Sequence, residues 1–390
     1  MIEAFENLIA QPELFLWALG AIKCRASCLY NTFLGPPALS GSSYSSDITA
    51  STWLQEKDSV TMAAEESIYI YVPNKIAPII FAIAFAASLA LHFWQCIHYK
   101  CFKLMSLHLV CCLMFTIGFS LREYGAFHHS FSKADLYTYI ASTCLIYISP
   151  PLLELANYQV LGRILYYVPY HSPIHPGRVL TTFGMLSTVV EVLNALGVSY
   201  IANPELPEST TKLGHILMKI SLIAQVLVIT AFCFLAATFQ RRCYRSGIRT
   251  RRISTPLVTL YISTFLILIR CVYRIVEHFG ASKVHASSSG ELEDLSPILR
   301  HEWFFYVFEA SLMLVNTLMW NWRHPRRFLP ARSNIYLAQD GETELKGPGW
   351  KDHRPFLVTL CDPFGWFDSN QKKERPFWES NGYTLVNSAA

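Results

Sequence analysis

The chain has 390 residues, of which 52% are hydrophobic and only 15% are charged, and its formal net charge is +4. Its mean hydropathy of +0.28 is high for a soluble protein. The sequence contains no GxxxxGK[ST] loop, which excludes a P-loop nucleotide-binding site. No CxxC occurs among its eleven cysteines, so the signal for a zinc site or a disulfide framework is weak.

Seven stretches are apolar enough to cross a bilayer, which takes about 20 mostly apolar residues. Most of their connections are short, so we expect one bundle of antiparallel neighbours. The sequence therefore predicts an all-α, polytopic membrane protein with its transmembrane domain at residues 76–322. The seven predicted spans are 76–97, 103–122, 135–158, 178–198, 214–239, 254–278 and 303–322.

Two further segments flank the predicted bundle. Residues 1–75 are predicted to be extracytoplasmic and partly disordered, since residues 36–52 are rich in Pro, Gly and Ser. The apolar stretch from Leu14 to Ile22 lacks a preceding basic region and makes a poor signal peptide. Residues 323–390 are predicted to be a cytoplasmic tail that is largely disordered, because they lack a clear period.

The distribution of basic residues predicts the orientation, because Lys and Arg are enriched in cytoplasmic loops. Fourteen basic residues lie near the connections after spans one, three, five and seven, against four in the other connections. The N-terminus is therefore predicted outside and the C-terminus in the cytoplasm. The loop from Arg241 to Arg252 is a further candidate for binding anionic lipid headgroups or cytoplasmic partners. The plainer interpretation is that its arginines only set the topology.

The sixth span contains three charged residues that share one helical face. Arg270, Arg274 and Glu277 are spaced at i, i+4 and i+7. A charge inside a membrane span costs roughly 2.5–3.5 kcal/mol on insertion scales. We therefore expect partners or a water-filled cavity to compensate these charges.

Orientation converts sequence position into depth, because a helix rises 1.5 Å per residue. By this measure Arg270, Glu309 and Glu191 all lie roughly 10 Å below the outer boundary. We expect Arg270 to pair with Glu309 or with Glu191, either as a purely structural contact or as the floor of a polar cavity open to the outer leaflet. The residues predicted to line this cavity are Glu123, Glu191, Asn194, Gln225, Arg270, Tyr273, Arg274, Glu277, Glu302, Tyr306 and Glu309.

A second polar group is predicted on the inner side of span three. Pro150 and Pro151 remove two backbone donors and clash with the preceding turn, so we expect this helix to kink or unwind. Glu154 would then lie near the cytoplasmic end, followed by Tyr158 and Arg163. These five residues are predicted to form an inner gate. A route for an amphipathic molecule and a receptor that binds one both fit this arrangement.

These residues also resemble a known pattern. The run GFSLREYGAF, with Gly118, Glu123 and Gly125, resembles the second-span signature of the fungal RTA1-like proteins, also called the lipid-translocating exporter family. The runs RCVYRIVE and HEWFFYVFEASLML resemble the sixth and seventh spans of that family, which often has Asp where this chain has Glu309. The other matching positions are Pro151, Ala156, Tyr158, Gly162, Arg163, Gly214 and Gln225.

The fourth span departs from the family pattern in side-chain length. The family usually has Asp, Gln and Gly where this chain has Glu191, Asn194 and Gly197. The resemblance covers about residues 70–328. It implies a seven-span fungal membrane protein associated with resistance to toxic lipids and sterol analogues, and with efflux of sphingoid bases.

The first functional hypothesis is therefore an exporter of an amphipathic lipid. The amine of a sphingoid base would need an acidic partner, for which Glu309, Glu191 and Glu123 are candidates. The second hypothesis is a seven-span lipid receptor or stress sensor that transports nothing. Membrane lipids and an amphipathic small molecule are the expected partners, with no nucleic acid and no cofactor.

An intramembrane metal enzyme is the third and least favoured hypothesis. A metal hydrolase needs clustered His and carboxylate ligands, whereas His92, His108 and His215 are scattered singly along the chain. We therefore predict no enzyme activity and no metal. The expected location is the plasma membrane, with the endosomal or vacuolar membrane as alternatives.

Overall fold

The computed structural model describes residues 74–127, 133–202, 206–284, 301–330, 332, 334–347 and 384–385. Six long helices come first, and the seventh, α7, combines an α-helical turn (Trp303–Phe305), a π-helical segment (Tyr306–Ser311) and an α-helix (Leu312–Trp322). The six are α1 (Ala77–Tyr99), α2 (Phe102–Phe127), α3 (Lys133–Tyr167), α4 (Pro176–Ala202), α5 (Glu208–Arg245) and α6 (Arg251–Val284).

Within these described ranges, seven helices are long and apolar enough to cross a membrane, which confirms the seven predicted spans. The helices are longer than predicted, most clearly α5, which was expected at 214–239 and covers Glu208–Arg245. Its added turns contain Glu208, Lys212 and Arg245, which hydropathy does not assign to a span. The orientation of the termini stays a prediction.

Helix α3 lies at the centre of the bundle. It packs against α2, α4, α5 and α6. In the apolar 18-residue stretch of α3, 72% is buried inside the protein, against 22% in the corresponding stretch of α1 and 28% in that of α4. Helices α1 and α4 are therefore peripheral. The side chains of Leu152, Ala156, Val160, Leu161 and Ile164 are fully buried and form much of the core.

The unwinding predicted at Pro150 and Pro151 does not occur. Helix α3 is continuous, with both prolines inside it. Side chains add hydrogen bonds to two carbonyl groups in the turn before the prolines: Cys111 Sγ donates to Ser149 O at 2.8 Å, and Ser149 Oγ donates to Leu145 O at 2.7 Å. Because the helix continues to Tyr167, Glu154 lies well inside it and not near its C-terminal end, the end predicted to be cytoplasmic.

Part of the tail predicted to be disordered is folded. Strands β1 (Ile335–Leu337) and β2 (Glu344–Lys346) form an antiparallel hairpin, and β3 (Thr384–Leu385) pairs with the other edge of β2. We call residues 334–347 the tail hairpin. The prediction of a largely disordered tail is wrong for this segment. The rest of the tail after 347, apart from β3, and the N-terminal segment through residue 73 lie outside the described residues.

The tail hairpin is held against the loops of the bundle by hydrogen bonds. Tyr170, in a short 3₁₀ helix after α3, donates to Leu337 O and, at 2.7 Å, to Ala338 O. Burial raises the pKa of the Tyr170 phenol, which keeps the hydroxyl group protonated as a donor. Thr250, just before α6, donates to Gly341 O at 2.7 Å. The hairpin therefore connects two different loops of the bundle.

Helices α4 and α5 approach each other closely at two glycines. A Cβ atom at Gly214 would lie 2.9 Å from Tyr200 Cβ and 3.0 Å from Gly197 O. A Cβ atom at Gly197 would lie 3.0 Å from Gly214 O. Small residues at such a contact allow two membrane helices to pack backbone to backbone.

We predict that Gly214→Val lowers the free energy of unfolding by about 1–3 kcal/mol, because the added atoms overpack this contact. Chemical unfolding of the purified protein in mixed micelles measures the change. Ala231→Val is the matched control on the same helix, where the side chain is exposed and should change little. Equal effects of the two substitutions would contradict the proposed close packing.

Candidate functional site

A buried ion pair joins α6 to α7. Arg270 Nε donates to Glu309 Oε1 at 2.6 Å, and the side chains are only 6% and 0% exposed. This confirms one of the two partners predicted for Arg270. Glu309 lies on the π-helical segment, which widens the helix by one residue per turn and occurs frequently at functional sites. Its second oxygen, Oε2, has no hydrogen-bond partner.

The other charges of this helical face are satisfied within α6. Arg274 pairs with Glu277, and its guanidinium group lies 4.3 Å from the ring centroid of Tyr147. Tyr273 donates to Glu277 Oε1 at 3.2 Å. Arg270 therefore links two helices, whereas Arg274 and Glu277 largely neutralise each other.

A second ion pair lies at the start of α7. Arg122 Nη2 donates to Glu302 Oε1 at 2.7 Å, and Tyr306 donates to the same oxygen at 3.0 Å. The arginine also lies 4.6 Å from the Phe305 ring centroid. Glu302 and Tyr306 were predicted to belong together, but sequence reasoning missed Arg122. Its signal was a basic residue at the predicted outer end of span two, where the topology rule disfavours one.

The neighbouring Glu123 does not join this contact. Sequence reasoning selected Glu123 from the run GFSLREYGAF, yet both of its carboxyl oxygens lack a hydrogen-bond partner. It is partly exposed, one position along the helix from Arg122. Adjacent positions point in different directions around a helix, so only one of the two can face α7.

The central feature of the site is a recess between α3, α4 and α5. It is lined by both Glu154 and Glu191 and, in this structure, is too narrow to hold a water molecule. Glu154 is 3% exposed and accepts hydrogen bonds from Tyr158 and, at 3.3 Å, from Gln225 Nε2. Tyr158 also contacts Ser187 Oγ at 3.2 Å. We call this the central recess; Pro151, Val190 and Val228 complete its lining.

The central recess combines residues that were predicted to lie on opposite sides of the membrane. Glu191 and Gln225 were assigned to an outer cavity, and Pro151, Glu154 and Tyr158 to an inner gate. The separation was wrong because it assumed that α3 breaks at the prolines. With α3 intact, Glu154 faces Gln225 on α5. Sequence reasoning also missed Ser187, because a lone serine in an apolar span gives no distinctive signal.

Three predicted site residues lie elsewhere. Arg163 Nη2 donates to Pro330 O at 2.9 Å, so it contacts the segment after α7 and does not gate the recess. Pro150 is buried within α3 and is not part of the recess lining. Asn194 is half-buried on α4 and is likewise not part of that lining.

The central recess and the ion pair are close enough to interact. Glu154 lies within electrostatic range of both Arg270 and Glu191. Cys271 on α6 lies within electrostatic range of Glu154, Glu191, Arg270 and Glu309. The described bundle therefore contains three carboxyl groups and one arginine near its centre. Because Arg270 pairs with Glu309, the two acidic residues that line the recess, Glu154 and Glu191, are the excess.

Two histidines that the sequence presents as isolated residues lie together between α1 and α2. His92 and His108 are fully buried, with ring centroids 5.6 Å apart and no hydrogen-bond partner for any ring nitrogen. Within the described ranges, no group of three or more His, Cys, Asp and Glu side chains is arranged to hold a metal ion. The pair therefore lacks the further ligands that a zinc site requires.

We predict that Arg270→Met or Glu309→Leu alone lowers the free energy of unfolding by about 3–5 kcal/mol, because each leaves one buried charge unpaired. The double variant should lose far less than the sum. A double-mutant cycle in mixed micelles measures the coupling between the two side chains.

The exposed pair between Glu208 and Lys212 provides the control cycle, because these side chains are 83% and 70% exposed. Its coupling should be close to zero, since solvent screens exposed pairs. Strict additivity at Arg270 and Glu309 would show that the two residues do not depend on each other.

Comparison with known proteins adds independent information. The family model described as "RTA1 like protein" matches residues 108–332. The lipid-translocating exporter-like protein RTA1 of Leptosphaeria maculans is 48% identical over 303 residues, which cover 76% of this chain and 58% of that relative. This chain therefore spans less than two thirds of that relative's length. No solved structure matches.

More distant relatives match over stretches of similar length. The lipid-translocating exporter-like protein RTA1 of Ajellomyces capsulatus is 29% identical over 274 residues, covering 66% of this chain and 81% of the relative. The probable lipid transporter atnI of Emericella nidulans is 25% identical over 278 residues, covering 67% and 68%. The matched ranges are long enough to include most of the helical bundle.

Proposed function

Because the chain belongs to the RTA1-like family of multi-pass membrane proteins, we propose that it is a lipid transporter whose substrate is an amphipathic lipid with a cationic headgroup, such as a sphingoid base. The names of its relatives support lipid translocation as the general activity. The proposal includes the role in resistance to toxic lipophiles that the family resemblance implies. The charge of the headgroup is argued from the central recess.

The two carboxyl groups of the central recess support a cationic substrate. Glu154 and Glu191 line one small recess inside the bundle, where transferring an ionised carboxyl group from water is costly unless a positive charge accompanies it. Arg270 already pairs with Glu309, which leaves the recess with an excess of acidic groups. An amine that enters the recess would offset this excess.

The central recess is closed in this structure, because its side chains leave no room for a water molecule. In the proposed function a headgroup therefore enters it only when α4 and α5 move away from α3. Helices α4 and α5, which flank the recess, expose apolar side chains along which a hydrocarbon tail can lie. They include Leu186, Val189, Ile216, Ile220, Ile223 and Leu227.

This arrangement separates the two parts of the substrate. The tail stays in the hydrocarbon, where each buried CH₂ group contributes about 0.8 kcal/mol. Only the headgroup then requires a polar site on its way across the membrane, and many transporters bind their substrates near the bilayer midplane. Movement against a gradient would need an ion gradient or the membrane potential, since the sequence has no P-loop.

The Arg270–Glu309 pair has a supporting role in this proposal. It holds α6 against α7 and places a positive charge within electrostatic range of Glu154. Of the two interpretations open at the sequence level, we therefore assign the structural one to this pair. We assign the binding of the headgroup to the central recess.

We predict that Glu191→Gln and Glu154→Gln each reduce efflux of a labelled long-chain base about tenfold or more, because a charge-assisted contact to the amine is lost. Efflux is measured in cells that lack the gene and express each variant at an equal level in the membrane. Glu208→Gln is the control, because it removes the same charge from an exposed position at the start of α5.

Two results would contradict the proposal. Wild-type efflux by both recess variants would show that the recess does not bind the transported headgroup. Tight binding of the base by purified protein, without movement across proteoliposomes, would instead identify a lipid receptor.

A further inference from the structure

A cleft lies between the end of α7 and the tail hairpin, far along the chain from the residues of the central recess. It has a volume of about 470 Å³. Three basic side chains line it: Arg326, Arg332 and Lys346. We call it the basic cleft.

The single acidic residue that lines the basic cleft is already neutralised. Glu344 accepts hydrogen bonds from Arg252 Nη1 at 2.5 Å and from Tyr167 at 2.9 Å. Arg163 adds a further positive charge beside the cleft, where its guanidinium group donates to Pro330 O, on the cleft wall. The described residues around the cleft therefore present a surplus of positive charge.

Some polar groups at the basic cleft are held in place without a partner of their own. Arg326 Nη1 donates to Leu329 O at 2.7 Å, which fixes the guanidinium group, while its buried Nε has no hydrogen-bond partner among the residues that the structure describes. The buried Asn334 Oδ1 also lacks one. Buried polar groups are normally satisfied, so an unsatisfied donor on a fixed guanidinium group indicates a missing acceptor.

The basic cleft lies at the level of a membrane surface. It begins shortly after Trp322, the last residue of α7, whose side chain is 76% exposed. Tryptophan residues at the ends of membrane helices lie at headgroup depth. A ligand at this depth is next to lipid phosphates, and clusters of Lys and Arg beside a membrane helix attract anionic lipids.

We propose that the basic cleft binds the phosphorylated headgroup of an anionic lipid, with Arg326, Arg332 and Lys346 contacting its phosphate. Guanidinium groups match the geometry of phosphate oxygens. The volume of about 470 Å³ lies in the range of sites that hold a complete small molecule, so the headgroup is larger than a phosphate alone and resembles a phosphorylated sugar alcohol. This site is separate from the central recess, which is acidic.

The test uses purified full-length protein in phosphatidylcholine nanodiscs and a water-soluble dioctanoyl phosphatidylinositol 4-phosphate. We expect binding by isothermal titration calorimetry, with the Kd raised roughly 30-fold in the double variant Arg332→Ala/Lys346→Ala. Both side chains are exposed, so the fold should be retained. Arg326 is left unchanged because its hydrogen bond to Leu329 O shapes the cleft.

The matched control is Lys75→Ala/Lys212→Ala, which removes the same charge from exposed positions beside the starts of α1 and α5, at the opposite end of the bundle from the cleft. Its Kd should stay within about twofold of the wild type, as exposed charges beyond the Debye length of roughly 8–10 Å are screened. Equal weakening by the two double variants would overturn the proposal, because binding would then depend on net charge alone.

Two further arms distinguish the source of the phosphate. Dioctanoyl phosphatidylcholine should not compete, and inorganic phosphate should compete only at a concentration at least 100-fold higher. Equal affinity for inorganic phosphate would overturn the assignment to a lipid, and equal affinity for phosphatidylcholine would overturn the assignment to an anionic headgroup. Lys346→Gln alone should raise the Kd in the same direction as the double variant, and an unchanged Kd would count against the site.

Discussion

The need to pair a charge that water cannot reach determines how α6 and α7 fit together. Arg270 can remain ionised inside the bundle only while Glu309 lies within hydrogen-bonding distance, and this fixes the register of the two helices. The π-helical segment of α7 contains Glu309, so the helix departs from α-helical geometry at the point where this residue must face α6. Farther along the same helices, Ser263 donates to Asn157 and accepts from Trp320, which gives a second fixed point.

These two fixed points divide the bundle into parts with different character. Helices α3, α6 and α7 are joined by buried polar contacts, so sliding any one of them would leave charged or polar groups without partners. Helices α4 and α5 are more exposed and meet each other at glycines. The central recess lies where the polar-bonded part meets this more exposed pair. In the proposed function, a headgroup contacts acidic residues there while its tail remains beside α4 and α5.

The parts of the structure that follow from local sequence were predictable. The seven spans needed only composition. The rise of a helix and a common boundary were enough to reduce the partners of Arg270 to Glu309 and Glu191, but not to choose between them. The prediction at Pro150 and Pro151 failed because whether prolines break a membrane helix depends on the helices packed around it, which no local pattern shows. That error moved Glu154 to the wrong depth and concealed the central recess.

Arg122 and the tail hairpin were missed for a related reason. The run GFSLREYGAF does not show whether Arg122 or the adjacent Glu123 faces α7, because that depends on the rotation of α2 in the bundle. The hairpin has strands of three residues, too short for a reliable period, and it is stabilised by Tyr170 and Thr250 from distant parts of the chain. Tertiary contacts, and not local propensity, decide such segments.

The tail hairpin has a consequence for how movement in the bundle can be observed. Because it is bonded both to the segment after α3 and to the start of α6, a rearrangement that separates these two helix ends must release one of its attachments. Its buried Tyr336 and Leu337 would then become accessible to proteases and to solvent. Limited proteolysis and hydrogen exchange at these residues would thus report the conformation of the helices without any label inside the membrane.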